Sequence, residues 1–151
     1  MPLTNNSYCF GVSPALDQAR PRSKPTILVA EDSTDSREMM QVLLEMKGYA
    51  VLSAADGVSA VDIALRNVPD LVLIDLQLPA LDGLSVTRSL RSHHDLNDVP
   101  IVIVSGHDPA RYRQAALDAG CCDYILKPID FDKLDRVLNR VFAAKRRPHA
   151  I

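Results

Sequence analysis

Four short apolar runs in this chain each end on residues that can do chemistry. Ile27-Leu28-Val29-Ala30 runs into Glu31-Asp32, Leu71 to Ile74 into Asp75, Ile101 to Val104 into Ser105, and Tyr124 to Leu126 into Lys127-Pro128. Three carboxylates converging on one crevice repel one another, which raises their pKa values and costs stability. A hard divalent cation with oxygen ligands relieves that repulsion, and Mg²⁺ is the ion usually held by two carboxylates, waters and a phosphate. Lys127 adds a compact positive charge suited to a phosphate oxygen, and Ser105 a hydroxyl able to donate to another. Asp75 is left as candidate nucleophile for an acyl-phosphate.

Plainer roles stand beside these. Asp32 or Ser33 can cap a helix, Asp75 can sit in a turn before Pro79, and Ser105 can be an ordinary turn serine. Lys127 can be a surface lysine and Tyr124 a core aromatic. His93-His94 lies in a polar connection, Ser92 to Asp98, and reads as solvated loop rather than metal ligand. The register of all the strand ends together favours the chemical reading.

The elements that must position these residues follow from periodicity. The four runs, with Ala50 to Ala54, are short and continuous, as strands buried on both faces are. Between them lie helix-period segments. Met39, Leu43 and Met46, widened by Met40 and Leu44, form one apolar stripe, stopped at Gly48. Val58, Val61 and Leu65 mark a second helix, ended before Pro69, and Leu84 to Leu90 a third. Tyr112, Ala115, Ala116 and Ala119 make a fourth, closed by Gly120; Leu134, Val137, Leu138, Val141 and Phe142 make a fifth. Alternating strands and helices demand a parallel sheet covered on both faces. The expected architecture is α/β, a flavodoxin-like doubly wound sheet of five strands in order 2-1-3-4-5 with five helices. Its ligands bind beyond the carboxyl ends of strands 1 and 3.

The length, 151 residues with 47% hydrophobic, suits one domain with a sizeable core. Residues 1–25, with four prolines and no apolar period, read as a flexible arm; 26–144 form the domain, and 145–151 a basic tail. A net charge of −2 gives no general reason to expect nucleic acid or a membrane surface. No apolar run approaches the ~18 residues of a membrane span, and the first ten residues lack an apolar signal stretch, so the expected location is the cytoplasm. Three cysteines, Cys9, Cys121 and Cys122, are odd in number, two of them adjacent. They point to no disulfide framework, and Cys121 and Cys122 read as reduced, buried thiols.

The strings Val29-Ala30-Glu31-Asp32, Leu73-Ile74-Asp75-Leu76-Gln77-Leu78-Pro79-Ala80-Leu81-Asp82-Gly83, Val104-Ser105-Gly106 and Gly120-Cys121-Cys122-Asp123-Tyr124-Ile125-Leu126-Lys127-Pro128 resemble those of response-regulator receiver domains of two-component systems. The resemblance runs from about Thr26 to about Ala144, and four strings in order at strand ends make it specific. It implies that Asp75 is the phosphoacceptor and that Glu31 and Asp32 are the acidic pair binding Mg²⁺ with Asp75. The backbone carbonyl of Gln77 is implied as a further ligand. Ser105 is implied as the hydroxyl switch residue, Tyr124 as the rotating aromatic, and Lys127 as the phosphate-contacting lysine. Lys127-Pro128 is similar to the family's cis peptide. Gly106 and Cys121 stand where many relatives carry alanine, and a looser loop after strand 4 at Gly106 would alter the lifetime of a phosphorylated state.

The expected function is that of a stand-alone, chemotaxis-receiver-like regulator. It takes phosphoryl from a histidine kinase or phosphotransfer protein and catalyses only its own phosphorylation and dephosphorylation. It signals to a downstream protein through helix 4, strand 5 and helix 5, or passes phosphate along a phosphorelay. With little chain after helix 5, no DNA-binding output domain is expected, and the state is monomer or weak homodimer. An aspartyl-nucleophile phosphatase is the main alternative, but such enzymes want a second acid where Gln77 stands. A phosphate-independent pseudo-receiver is disfavoured because every chemical position is filled. A nucleotide-binding flavodoxin-like protein lacks its phosphate loop after strand 1.

Overall fold

The computed structural model describes residues 24–146. Most of the arm expected over residues 1–25, and the tail from residue 147, lie outside the described residues. Five parallel strands, β1 (Thr26–Ala30), β2 (Ala50–Ala54), β3 (Leu71–Asp75), β4 (Ile101–Ser105) and β5 (Asp123–Leu126), pair in the order β2-β1-β3-β4-β5. The helices are α1 (Thr34–Met46), α2 (Gly57–Asn67), α3 (Gly83–Arg91), α4 (Pro109–Ala119) and α5 (Phe131–Arg146). The flavodoxin-like α/β architecture and its strand order are as expected.

The pleat sorts alternate residues of each strand onto opposite faces. Leu28, Ala30, Val72, Ile74, Ile101, Ile103 and Tyr124 pack with residues of α2, α3 and α4. Ile27, Val29, Leu71, Leu73, Val102, Val104 and Ile125 pack with α1 and α5. Both faces of β1, β3 and β4 are thus buried, which is why these strands read as continuous apolar runs; the edge strand β2, expected to be buried on both faces, is half-buried with Ser53 exposed. Asp75 and Ser105 nevertheless remain within the ladder, opposite Val104 and Leu126. Backbone pairing does not depend on the side chain, so the polar strand ends are held as firmly as the apolar middles.

The helix faces depart from the sequence reading in two places. On α1 the buried residues are Met40 and Leu44, while Met39 and Met46 point outward, Met46 being 80% exposed. On α2 the face against the sheet is Gly57, Ala60 and Ala64, with Val58 and Leu65 exposed. At its start α2 presses on the loop after β3, where a Cβ on Gly57 would run into the main chain and side chain of Leu81, and Ala60 and Ala64 are fully buried in the core. On α5, Leu134, Val137, Leu138, Val141 and Phe142 are all buried, in the register read from the sequence. The connection after α3 is not simply solvated, because His94–Leu96 form a 3₁₀ turn that drives Leu96 into the core.

Cys121 is a free, buried thiol; burial pushes its pKa up to about 11 against a Thr87 hydrogen bond, so it stays protonated and inert. Cys122 is disulfide-bonded, contrary to the expected thiol. An odd cysteine count excludes complete pairing, not one bond.

Candidate active site

The site lies where β1 and β3 run side by side and end together, Ala30 opposite Ile74. The next residue of each segment, Glu31 and Asp75, therefore emerges at the same edge. Ser33 caps α1, its hydroxyl accepting from the Ser36 N–H at 3.3 Å, which leaves Asp32 to the cluster. One ligand oxygen each of Glu31, Asp32 and Asp75 lie within 4.8 Å of one another. Beyond Asp75, a Cβ on Gly83 would meet the Asp75 carbonyl oxygen; the bare glycine lets the start of α3 fold back against the strand end.

Lys127 reaches this cluster from β5. Its Nζ donates to Glu31 Oε1 at 2.7 Å and to Asp75 Oδ2 at 3.0 Å, and the Lys127–Pro128 peptide is cis. The remaining oxygens are met by backbone: Ser33 N–H donates to Glu31 Oε2 at 3.0 Å, and Gln77 N–H to Asp75 Oδ1 at 3.2 Å. Gln77 itself is exposed, in the turn after β3.

The buried Glu31 and half-buried Asp75 carboxylates are pushed in opposite directions. Burial is the largest influence on Asp75 and raises its pKa, and the Lys127 and Gln77 hydrogen bonds offset only part of it. Glu31 is also raised by burial, but the bonds from Lys127 and Ser33 outweigh this and leave it lowered. Burial pulls the Lys127 ammonium down, and its hydrogen bonds to Glu31 and Asp75 more than reverse that. The ground-state cluster is therefore an ammonium bridging two carboxylates, with Asp75 the less comfortable anion.

Ser105 and Tyr124 form a second layer. Ser105 is fully buried and its hydroxyl accepts from the His107 N–H at 3.0 Å, so its own proton can still be donated. Tyr124 lies inside the core, 1% exposed, with its phenol donating to the His107 carbonyl at 3.0 Å. The aromatic that the resemblance implies as rotating thus lies inward in this structure. Two residues at this site escape sequence reasoning. His107 joins both switch candidates through its main chain, and no side-chain pattern signals a backbone role. Arg37 donates to the Glu31 carbonyl at 2.8 Å and so fixes the turn carrying the acidic pair. A cation in the first turn of the helix that follows two acids was its only sign.

The family description "Response regulator receiver domain" matches residues 27–139. The chain belongs to the response-regulator receiver family. Response regulator MprA of Mycobacterium sp. (strain KMS) is 43% identical over 121 residues, and the MprA of Mycobacterium leprae (strain TN) 40%. These alignments cover 80% of this chain but 50% and 51% of those proteins, so the chain spans about half the length of the curated relatives it matches. Among solved structures, the receiver domain of sensor histidine kinase PA1611 from Pseudomonas aeruginosa PAO1 superposes with a TM-score of 0.74 at 35% identity. That match covers 80% of this chain and 99% of that one, and that crystal structure holds a magnesium ion coordinated in its active-site cleft. A putative response regulator from Chloroflexus aurantiacus reaches a TM-score of 0.76 at 28% identity over 80% of this chain and 99% of that one.

The receiver's acidic cluster fits a hard divalent cation. All three side chains offer carboxylate oxygens, and exposed Asp32 keeps the cluster open to solvent. Three carboxylates and one ammonium leave two negative charges, which such an ion balances.

Proposed function

We propose that this receiver accepts a phosphoryl group on Asp75 from a phosphohistidine of a histidine kinase or phosphotransfer protein. An Asp75 carboxylate oxygen attacks phosphorus, the P–O bond forms, and the P–N bond to the donor breaks. The observation that carries this reading is the bridge of Lys127 to Glu31 and Asp75, at 2.7 and 3.0 Å, inside a cluster of three carboxylates. Glu31, Asp32 and Asp75, with the Gln77 carbonyl, would hold Mg²⁺, whose charge stabilises the oxygens of a transferring phosphoryl group. Lys127 then exchanges a carboxylate partner for a phosphoryl oxygen, and the Ser105 hydroxyl donates to another.

The new charge is read by the second layer. A Ser105 hydroxyl drawn toward the phosphoryl group alters the turn through His107, and that same turn holds the Tyr124 phenol. The receiver thereby presents a changed face of α4, β5 and α5 to a protein partner, or passes phosphate to a relay protein. It works in the cytoplasm as a monomer or weak homodimer, and it catalyses only its own phosphorylation and dephosphorylation. Among the described residues no helix is long and apolar enough to cross a membrane.

The test is incubation with Mg²⁺ and acetyl phosphate followed by mass spectrometry of the intact chain. An acid-stable, base-labile phosphoryl adduct is expected, absent from Asp75→Asn and from samples stripped of metal. An adduct of equal yield on Asp75→Asn would overturn the assignment.

A further inference from the structure

Arg37 is a cation that the phosphoryl chemistry above does not use. It stands in the first turn of α1, at the positive end of the helix dipole, where a cation is unfavourably placed. Its sequence neighbours include Glu31, Asp32, Asp35 and Glu38. Among the described residues it forms an ion pair with none of them. Instead the half-buried side chain turns back along the chain. Its Nη1 donates to the Glu31 carbonyl at 2.8 Å and, in a longer bond, to the Asp32 carbonyl at 3.4 Å.

Both carbonyls belong to the turn that carries the acidic pair. That turn is otherwise fixed at its two ends. The Glu31 N–H donates to the Ala54 carbonyl of β2 at 3.0 Å, and the Arg37 N–H closes the first bond of α1 on the Ser33 carbonyl at 2.9 Å. Lys127 places the Glu31 and Asp75 carboxylates, at 2.7 and 3.0 Å, but does not bond Asp32. Asp32 is exposed, so the direction of its carboxylate follows from the two peptide planes that flank it. Those are the planes whose carbonyls Arg37 holds. An ion pair to Asp32 would instead have taken up a ligand that a metal needs.

We propose that Arg37 is a positioning residue for the divalent cation. It aims Asp32 through the main chain and, by pairing with no carboxylate, leaves the ligands charged. The proposal rests on the reading above that Glu31, Asp32 and Asp75 hold Mg²⁺, and it adds a residue outside the ligand set that governs affinity. Two effects of opposite sign meet here. As a bare charge Arg37 repels Mg²⁺, so its removal would tighten binding. As a clamp it strengthens binding, because outer partners that orient metal ligands contribute about 10–100-fold in affinity. The clamp should win, since solvent and salt screen a charge at this open edge and neither restores a misaimed ligand.

The experiment titrates Mg²⁺ into the unphosphorylated full chain and follows the amide shifts of β1, β3 and the turn after Glu31. Arg37→Ala should raise the Mg²⁺ Kd about tenfold. Arg37→Lys keeps the charge without the planar fork, so it should recover only part of the affinity; it also serves where the alanine variant fails to fold. The rise in melting temperature produced by Mg²⁺ should shrink in both variants. In acetyl-phosphate labelling, the Mg²⁺ concentration for half-maximal rate should rise more than the maximal rate falls. Equal or tighter Mg²⁺ binding in the variants would overturn the proposal. So would melting temperatures lowered alike with and without metal, which would leave Arg37 a merely structural role. Wild-type shifts matched by the variants defeat the proposal alone. A wild type that shows no Mg²⁺-induced shift defeats the metal reading and the proposal with it.

Discussion

At the scale of single residues, the site is a charge balance poised between two partners for one lysine. Asp75 carries the raised pKa, so its ionised form opposes folding whenever pH exceeds the ordinary aspartate value of 3.8. Asp75→Asn keeps an oxygen to accept from Lys127 while removing that opposition. Its melting temperature at pH 7 should exceed wild type, with the gain vanishing below pH 3.8 where both side chains are neutral. A lower melting temperature at pH 7 would show that attraction to Lys127 outweighs burial. Lys127→Ala removes a contact that reports on the phosphoryl group rather than forming the bond. Asp75 should still be labelled, while the phosphorylation-induced amide shifts of α4 and β5 shrink. The missing charge-assisted bond is worth roughly 1.5–3 kcal/mol, enough to bias a switch strongly. Full shifts in Lys127→Ala would refute that division of labour.

At the scale of elements, the loop from β4 to α4 is the coupling part, because one residue's peptide groups hold both Ser105 and Tyr124. Tyr124→Phe deletes the phenol bond to His107 without emptying the core. It should cost about 1 kcal/mol in denaturant unfolding and leave labelling of Asp75 intact, with a beryllofluoride-induced response on α4 smaller than wild type. A wild-type response would remove the phenol from the path. The same loop offers an opposite change. Nothing lies within 4 Å of a Cβ placed on Gly106, and its backbone is outside the left-handed region. Gly106→Ala should therefore stabilise the fold by about 0.4–1 kcal/mol through the unfolded chain. The denaturant midpoint should rise at an unchanged slope, and a fall would mean that the loop needs glycine's freedom.

At the scale of the whole molecule, these pKa shifts shape stability against pH. Lys127 is raised, so its contribution is fully present below the ordinary lysine value of 10.5 and is lost as pH climbs through its folded value. Glu31 is lowered, so its contribution is present above 4.5 and is lost as pH falls through its folded value. Asp75 acts against Glu31 on the acid side, since its protonation relieves a cost. Urea unfolding across pH should thus show a steeper acid loss in Asp75→Asn than in wild type. Equal acid slopes would mean that burial does not raise the Asp75 carboxyl.

Much of this was legible in the sequence because the signals are local. Four apolar runs, each ending in a polar residue, declared the strands and their active edge, since a strand buried on both faces can be polar only where it leaves the core. The periodicity of Leu134 to Phe142 placed α5, and the family strings placed Asp75, Ser105 and Lys127. What needed the fold were distances between segments. Which faces of α1 and α2 turn inward was decided by how each helix packs in the fold, which buries Ala60 and Ala64 and leaves the larger Val58 and Leu65 exposed. The bridge from Lys127 to Glu31 spans 96 positions of chain, and no spacing rule reaches that far. The roles of His107 and Arg37 rest on main-chain atoms or on reaching them, where residue type is nearly silent.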